Sequence, residues 1–301
     1  MLANNNEAII NKLAKNSVKT NKKQYAILFF TIILSAFMLF CVFTIGMTYL
    51  NSSRLQNTRL NGAEYDIVTM NGFTSEQLNT LRQNEHVRSV GMESYAGFIQ
   101  STEYDKTVEI GLLWCDEVFW DNLMSPARTK LDGHYPQNKN ELMVTKDILK
   151  ACGNENLSVG DSLILTYENN QGVYTDEFII SGIWDGYGDT SAGFVSKAFY
   201  DESGYDLKNN GILCIKLNHN YVFPTTIQSI EKSLDFSDGQ IFAPTGYIEN
   251  SFKLLLGICG LALVICLSAY LLIYNILYLS VSGKIRYYGL LQSLGMTKKQ
   301  L

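Results

Sequence analysis

Two stretches of the chain show no polar alternation at all. Across residues 26–51 (AILFFTIILSAFMLFCVFTIGMTYLN) and 254–283 (LLLGICGLALVICLSAYLLIYNILYLSVSG) nothing carries a charge. A helix rises 1.5 Å per residue, so about 20 apolar residues cross a hydrocarbon core of roughly 30 Å. Both stretches exceed that length, and each is predicted to be a transmembrane helix rather than the core helix of a soluble domain. The first starts too far into the chain, and its apolar part runs too long, for a cleaved signal peptide, so it reads as a retained span.

Between the spans the pattern breaks into short alternating runs. YDIVTM, TVEIGLLW, ELMV, SLILTYE, EFIISGIW, AGFVS and ILCIKL read as strands. TSEQLNTLRQN reads as a helix under a threonine cap, TKDILKACG as a helix closed by Gly153, and PTTIQSIEKSLDF as a helix opened by Pro224. This mixed order predicts an α+β domain with a smaller helical insert or subdomain. Ahead of the first span, EAIINKLAKNSVKTNKKQ places Ile9, Ile10, Leu13, Ala14, Ser17 and Val18 on one helical face with lysines opposite. That is the pattern of a helix lying on a membrane surface. The expected division is 1–24 for this amphipathic helix, 25–51 for the first span, 52–246 for the α+β domain, 247–283 for a second helix containing the second span, and 284–301 for a closing segment. The fold class expected is a membrane protein with two transmembrane α-helices flanking a large extracytoplasmic α+β domain.

Charge adds an orientation. The 301-residue chain carries a formal −5, but residues 1–24 hold five lysines against one glutamate, and 284–301 hold Lys284, Arg286, Lys298 and Lys299 with no acid. Residues 52–252 hold 28 acidic and 14 basic side chains. Lys and Arg collect on the cytoplasmic side, so both ends are expected inside a plasma membrane and the central domain outside it. On the second span, Tyr270, Tyr274 and Tyr278 recur every four residues and form one stripe. Such a stripe climbs about two turns, too far for an interfacial aromatic belt, and with Asn275 it predicts a helix–helix contact face.

No catalytic chemistry is apparent. His86, His134 and His219 are scattered, and neither a G-x-S-x-G nor an H-E-x-x-H occurs. WDGYGDTSAG, at 184–193, lacks the alternating carboxylates of a calcium loop and reads as a turn-rich loop. No G-x-x-x-x-G-K-[ST] is present. Cys41, Cys259 and Cys266 fall in the spans; Cys115, Cys152 and Cys214 fall outside them, where either one bridge with a spare thiol or three free thiols would fit. The chain is expected to be no enzyme, to take no cofactor or metal, and to bind no nucleic acid.

The closing segment IRYYGLLQSLGMTKKQ carries a recognisable pattern. It resembles the signature of the FtsX-like, MacB-type ABC transporter permeases, approximately R-x-x-G-L-L-x-x-L-G-x-T-x-x-Q after the second membrane helix. The matching positions are Arg286, Gly289, Leu290, Leu291, Leu294, Gly295, Thr297 and Gln300. Tyr287 stands where an acidic residue is common, and the Tyr-Tyr-Gly form is similar to the Gram-positive branch. LDGHYPQNKNELMVTKDILKACG, LSVGDSLILTY and FIISGIWDG resemble segments of that family's outer domain, its MacB-like periplasmic core. The resemblance implies a non-catalytic permease subunit that partners an ABC-type ATPase subunit, a second permease copy or homologue, and membrane lipid. It implies that Arg286, Gly289, Leu290, Leu291, Leu294, Gly295 and Thr297 couple to the ATPase. Family members continue through further membrane helices, so the chain is expected to be an N-terminal portion. It further suggests antimicrobial peptide export or resistance as the task. A two-span sensor or scaffold with an external ligand-binding domain is the alternative.

Overall fold

The computed structural model describes residues 11–12, 15–16, 19–100, 110–187 and 192–293. The first long helix, α1, runs Lys22–Asn61, ten residues beyond the apolar stretch that announces it. The second, α7, runs Gly246–Ser282. Both are long and apolar enough to cross a membrane. The chain divides into two units: Leu50–Leu254, and Met1–Tyr49 together with Leu255–Leu301.

In the apolar unit, α1 and α7 pack where glycine permits. A Cβ on Gly46 would sit 2.6 Å from the Ile258 side chain. The less exposed positions of α7, among them Leu255, Ile258, Ala262, Ile265 and Ala269, recur at intervals of three and four, which keeps one face toward a neighbouring helix. The Thr31 and Ser35 hydroxyls donate to the carbonyls of Ile27 and Thr31, which satisfies them without water. Helix α7 ends in a turn at Gly283 and Lys284, and a separate short helix, α8 (Ile285–Ser293), follows.

The other unit is built on one sheet, with ten strands among the described residues: β1 (Ile67–Met70), β2 (Val87–Ile99), β3 (Ile110–Cys115), β4 (Lys130–Gly133), β5 (Glu141–Thr145), β6 (Ser162–Asn169), β7 (Gly172–Asp185), β8 (Ala192–Val195), β9 (Ile212–Leu217) and β10 (Ile241–Pro244). Their order is β10-β1-β9-β2-β3-β8-β5-β7-β4, with β6 bridging β2 and β7. Only β3–β8 and β5–β7 run parallel. Among the described residues no separate helical subdomain stands apart from the sheet. The expected insert is instead a set of short helices spread over it: α2 (Ser75–Gln83), α3 (Lys146–Ala151), α4 (Lys197–Glu202), α5 (Leu207–Asn210), α6 (Pro224–Lys232) and a π-turn at Val118–Leu123.

Local chemistry sets these helices. Thr74 and Gln77 form a reciprocal capping box on α2, and Thr145, Ser196 and Asp206 cap α3, α4 and α5. Gly153 closes α3 with φ +70°. The α6 and α2 side chains Ile227, Ile230 and Leu81 meet Ile67, Leu213 and Ile215 in one core cluster. The π-turn covers the opposite face with Phe119, Trp120 and Leu123, against Val68, Cys115, Cys214 and Phe194. A third cluster, around Leu142, Leu163, Phe178 and Phe199, fills the half of the sheet carrying α3 and α4.

Candidate functional site

The residues carrying the closing motif fall partly within the described region. Arg286, Gly289 and Leu290 lie three and four apart on α8, so they share one face, and all three are exposed. Leu291, one position on, is half-buried. A Cβ on Gly289 would meet nothing within 4 Å, so this face is open to close approach. Tyr287 and Tyr288 meet edge to face with centroids 6.0 Å apart. Leu294, Gly295, Thr297 and Gln300 lie outside the described residues, as does most of the amphipathic segment at 1–24.

The tyrosine stripe of α7 forms a stacked ladder. Tyr270–Tyr274 and Tyr274–Tyr278 centroids are 6.2 and 6.1 Å apart, with the rings within 25° of parallel. All three rings and Asn275 are exposed, and they turn away from the Ile258–Ala262 face that packs on α1.

A second assembly was not foreseen from the sequence. Within the unit Leu50–Leu254, the Arg54 guanidinium lies 2.9 Å from Glu64. Glu64 lies 3.2 Å from the Lys216 ammonium, and Lys216 lies 3.1 Å from Asp66. The Asp66 carboxylate also accepts the Leu217 N–H at 2.9 Å. The Asp66 backbone donates to Ile215 and accepts from Thr245, the residue before α7. The cluster is charge-neutral, and it touches α1, β9 and the start of α7. Burial pushes the Asp66 carboxyl above its usual range, while Lys216 and the Leu217 N–H pull it back. The one hint in the sequence is Lys216 itself, a lone cation in the apolar strand ILCIKL.

A third feature lies under the π-turn. Glu93, on β2 opposite Cys115, is half-buried. Burial alone pushes it up to about 7. The Tyr135 hydroxyl stands 3.6 Å from the Cys115 thiol, and burial pushes Cys115 and Cys214 well up, which makes both poor nucleophiles. All six cysteines are free, which resolves the open pairing in favour of unbridged thiols.

Among the described residues no cluster of three or more His, Cys, Asp or Glu side chains is placed to hold a metal ion. His86 contacts the neighbouring Glu85, and His134 the carbonyl of Tyr135. Two surface concavities of about 450 and 370 Å³ are lined by mixed side chains, among them Gln100, Glu168 and Tyr205 in the first and Lys130, Asp132 and Glu155 in the second.

By sequence the chain matches no protein-family model and no curated protein. By structure it is similar to the periplasmic region of MacB from Actinobacillus actinomycetemcomitans, with TM-score 0.41 and 13% identity over 64% of this chain and 95% of that one. It is also similar to the extracellular domain of the noncanonic ABC-type transporter YknZ from Gram-positive bacteria, with TM-score 0.39 and 13% identity over 60% of this chain and 98% of that one.

Proposed function

We propose that this chain is the permease subunit of an ABC transporter of the mechanotransmission type. Its α8 face and the residues after it dock on a separate ATPase subunit. Nucleotide-driven movement there passes through the long helices to the outer domain. The observation that carries this reading is the order of parts. A motif-bearing segment with an exposed glycine and leucine face directly follows the second of two uncharged helices, and those helices flank a single α+β domain. In the proposed topology both described ends of the helical pair lie in the cytoplasm and the sheet lies outside, as the lysine and arginine distribution favours. The open tyrosine face is assigned to a further membrane helix or a second permease copy. Antimicrobial peptide export or resistance is the proposed task, on the Tyr287–Tyr288–Gly289 form of the motif.

The test is purification of the full chain from its own membranes together with whatever ATPase accompanies it. Gly289→Trp and Leu290→Asp fill and charge the exposed face without touching packed neighbours, so each is expected to lose the ATPase while the chain stays in the membrane. Gly295→Trp is expected to do the same. Undiminished co-purification in all three overturns the docking role.

A further inference from the structure

We infer that the ion cluster Arg54–Glu64–Lys216–Asp66 is an asymmetric joint: it fixes the root of α7 into the sheet and holds the root of α1 by contacts that can open. Arg54 is the positioning residue that sets α1 against the sheet. The purpose of the joint rests on the permease reading above, but its asymmetry stands on the geometry.

The α7 root is built into the core. Strand β10 pairs with β1 up to Ile67↔Pro244, and the Thr245 N–H then donates to the Asp66 carbonyl at 2.8 Å. Ile248 is 1% exposed and packs in the cluster with Ile67, Leu213 and Ile215; Ser251 is fully buried. The Phe252 ring meets that of Phe223 at a tilt of 48°, with centroids 4.6 Å apart. Lifting this root would expose apolar surface and break a backbone hydrogen bond beside a buried carboxylate.

The α1 root is different in kind. Beyond the buried Leu50, the apolar side chains on residues 51–61 are Leu55 and Leu60, and both face out. The inward contacts are polar: Thr58 is buried, Arg54 pairs with Glu64, and the Arg59 guanidinium lies 4.2 Å over the Tyr187 ring with its Nε unpartnered. Exposure falls steadily through the cluster, from 36% at the Arg54 side chain and 20% at Glu64 to 8% at Lys216 and 2% at Asp66. If Arg54 leaves, it enters water, and Glu64 keeps Lys216 at 3.2 Å. No buried charge is orphaned, so this contact opens cheaply, whereas separating Lys216 from Asp66 strands a desolvated carboxylate. Movement arriving along α1 therefore meets a latch, and movement arriving along α7 meets a fixed strut.

Hydrogen–deuterium exchange on the full-length chain in lipid nanodiscs tests this in two arms. In the first, Arg54→Gln is expected to speed exchange over residues 52–61 by about two- to five-fold, the equilibrium factor of a partly exposed ion pair, and to leave 246–254 unchanged. Equal acceleration at both roots, or at neither, overturns the asymmetry. In the second arm the chain is held with its co-purified ATPase and trapped with ATP and vanadate. A change over 52–61 without one over 246–254 is expected, and a change confined to 246–254 overturns the joint. If trapping alters exchange nowhere in the chain, the permease reading fails, and the first arm still decides the joint on its own.

Discussion

Replacing Lys216 with methionine isolates what the buried cluster contributes to the domain. The substitution keeps most of the apolar stem of the side chain and removes the ammonium group with its charge and its hydrogen bond to Asp66. Glu64 retains Arg54 at 2.9 Å, so the orphaned group is Asp66, 2% exposed and left with the Leu217 N–H at 2.9 Å. Breaking a buried pair from one side costs about 3–5 kcal/mol, and the surviving N–H bond places the expectation near the lower end, about 3 kcal/mol. Burial already holds the Asp66 carboxyl above its ordinary range, and without the lysine it rises further. A carboxyl raised in the folded state adds no penalty below its unfolded pKa and a growing one as pH rises through its folded pKa. The variant should therefore be weakest at alkaline pH and closest to the parent in acid. The chain has three tryptophans, Trp114, Trp120 and Trp184, and all lie in the unit Leu50–Leu254, so their fluorescence follows that unit during thermal unfolding of the full chain in detergent. For a unit of this size, about 3 kcal/mol lowers Tm by roughly 6–12 °C. Lys216→Met with Asp66→Asn should recover at least half of that. A loss below about 2 °C in the single variant, or no recovery in the double, would refute the claim that these charges are desolvated.

Glu93 predicts a pH dependence of the same sign, present already in the parent chain. With a folded pKa of about 7 against an unfolded 4.5, its contribution is complete below about pH 4.5 and is lost as pH rises through 7, up to about 3 kcal/mol; Glu93→Gln should flatten that slope in the same fluorescence assay. Gly72 has φ +88° and its Cβ would lie 1.8 Å from the Lys208 carbonyl oxygen, whereas Gly239 has φ +90° and nothing within 4 Å. Gly239→Ala should cost about 1–2 kcal/mol for backbone strain alone, and Gly72→Ala measurably more, by denaturant midpoint; equal losses would show that the contact is relieved without effort. For orientation, a membrane-impermeant maleimide should label Glu177→Cys on intact cells above the parent background, and Gln292→Cys only after permeabilisation. The reverse result would invert the proposed topology.

Elements with a clean period were legible in the sequence, and those whose period is interrupted were not. The seven strand-like runs coincide with β1, β3, β5, β6, β7, β8 and β9, and the capped helices with α2, α3 and α6. The longest interior strand without such a signal is β2, VRSVGMESYAGFI, which joins β9 to β3. Register shifts at Val87/Ser89 and Tyr95/Gly97 break its alternation of two. Gly91 and Gly97 erase it further, because Phe119 and the Glu168 carbonyl occupy the space where their side chains would stand. The α8 face was visible because Arg286, Gly289 and Leu290 are neighbours along the chain. The ion cluster was hidden because Asp66 and Lys216 are 150 positions apart, and apart from Lys216 in its apolar strand each member alone looks like an ordinary surface charge.

What an ion cluster supplies at the helix roots is not stability. A buried ion pair of this type is about as stable as, or less stable than, a well-packed apolar replacement, since the cost of desolvation absorbs the attraction. It supplies register. Within the uncharged stretch of α1 the close approach of Gly46 to Ile258 marks one axial position, and the polar contacts at the root mark it a second time. The contact of Arg54 with Glu64 at 2.9 Å is lost within a fraction of a turn, as one helical turn advances about 5.4 Å. The root of α1 therefore has one position in which its polar face is satisfied, and leaving it is a discrete event rather than a gradual slide. In the proposed permease, a helix that delivers movement to a sheet would need that property at its end, and four side chains drawn from three separate parts of the sequence provide it.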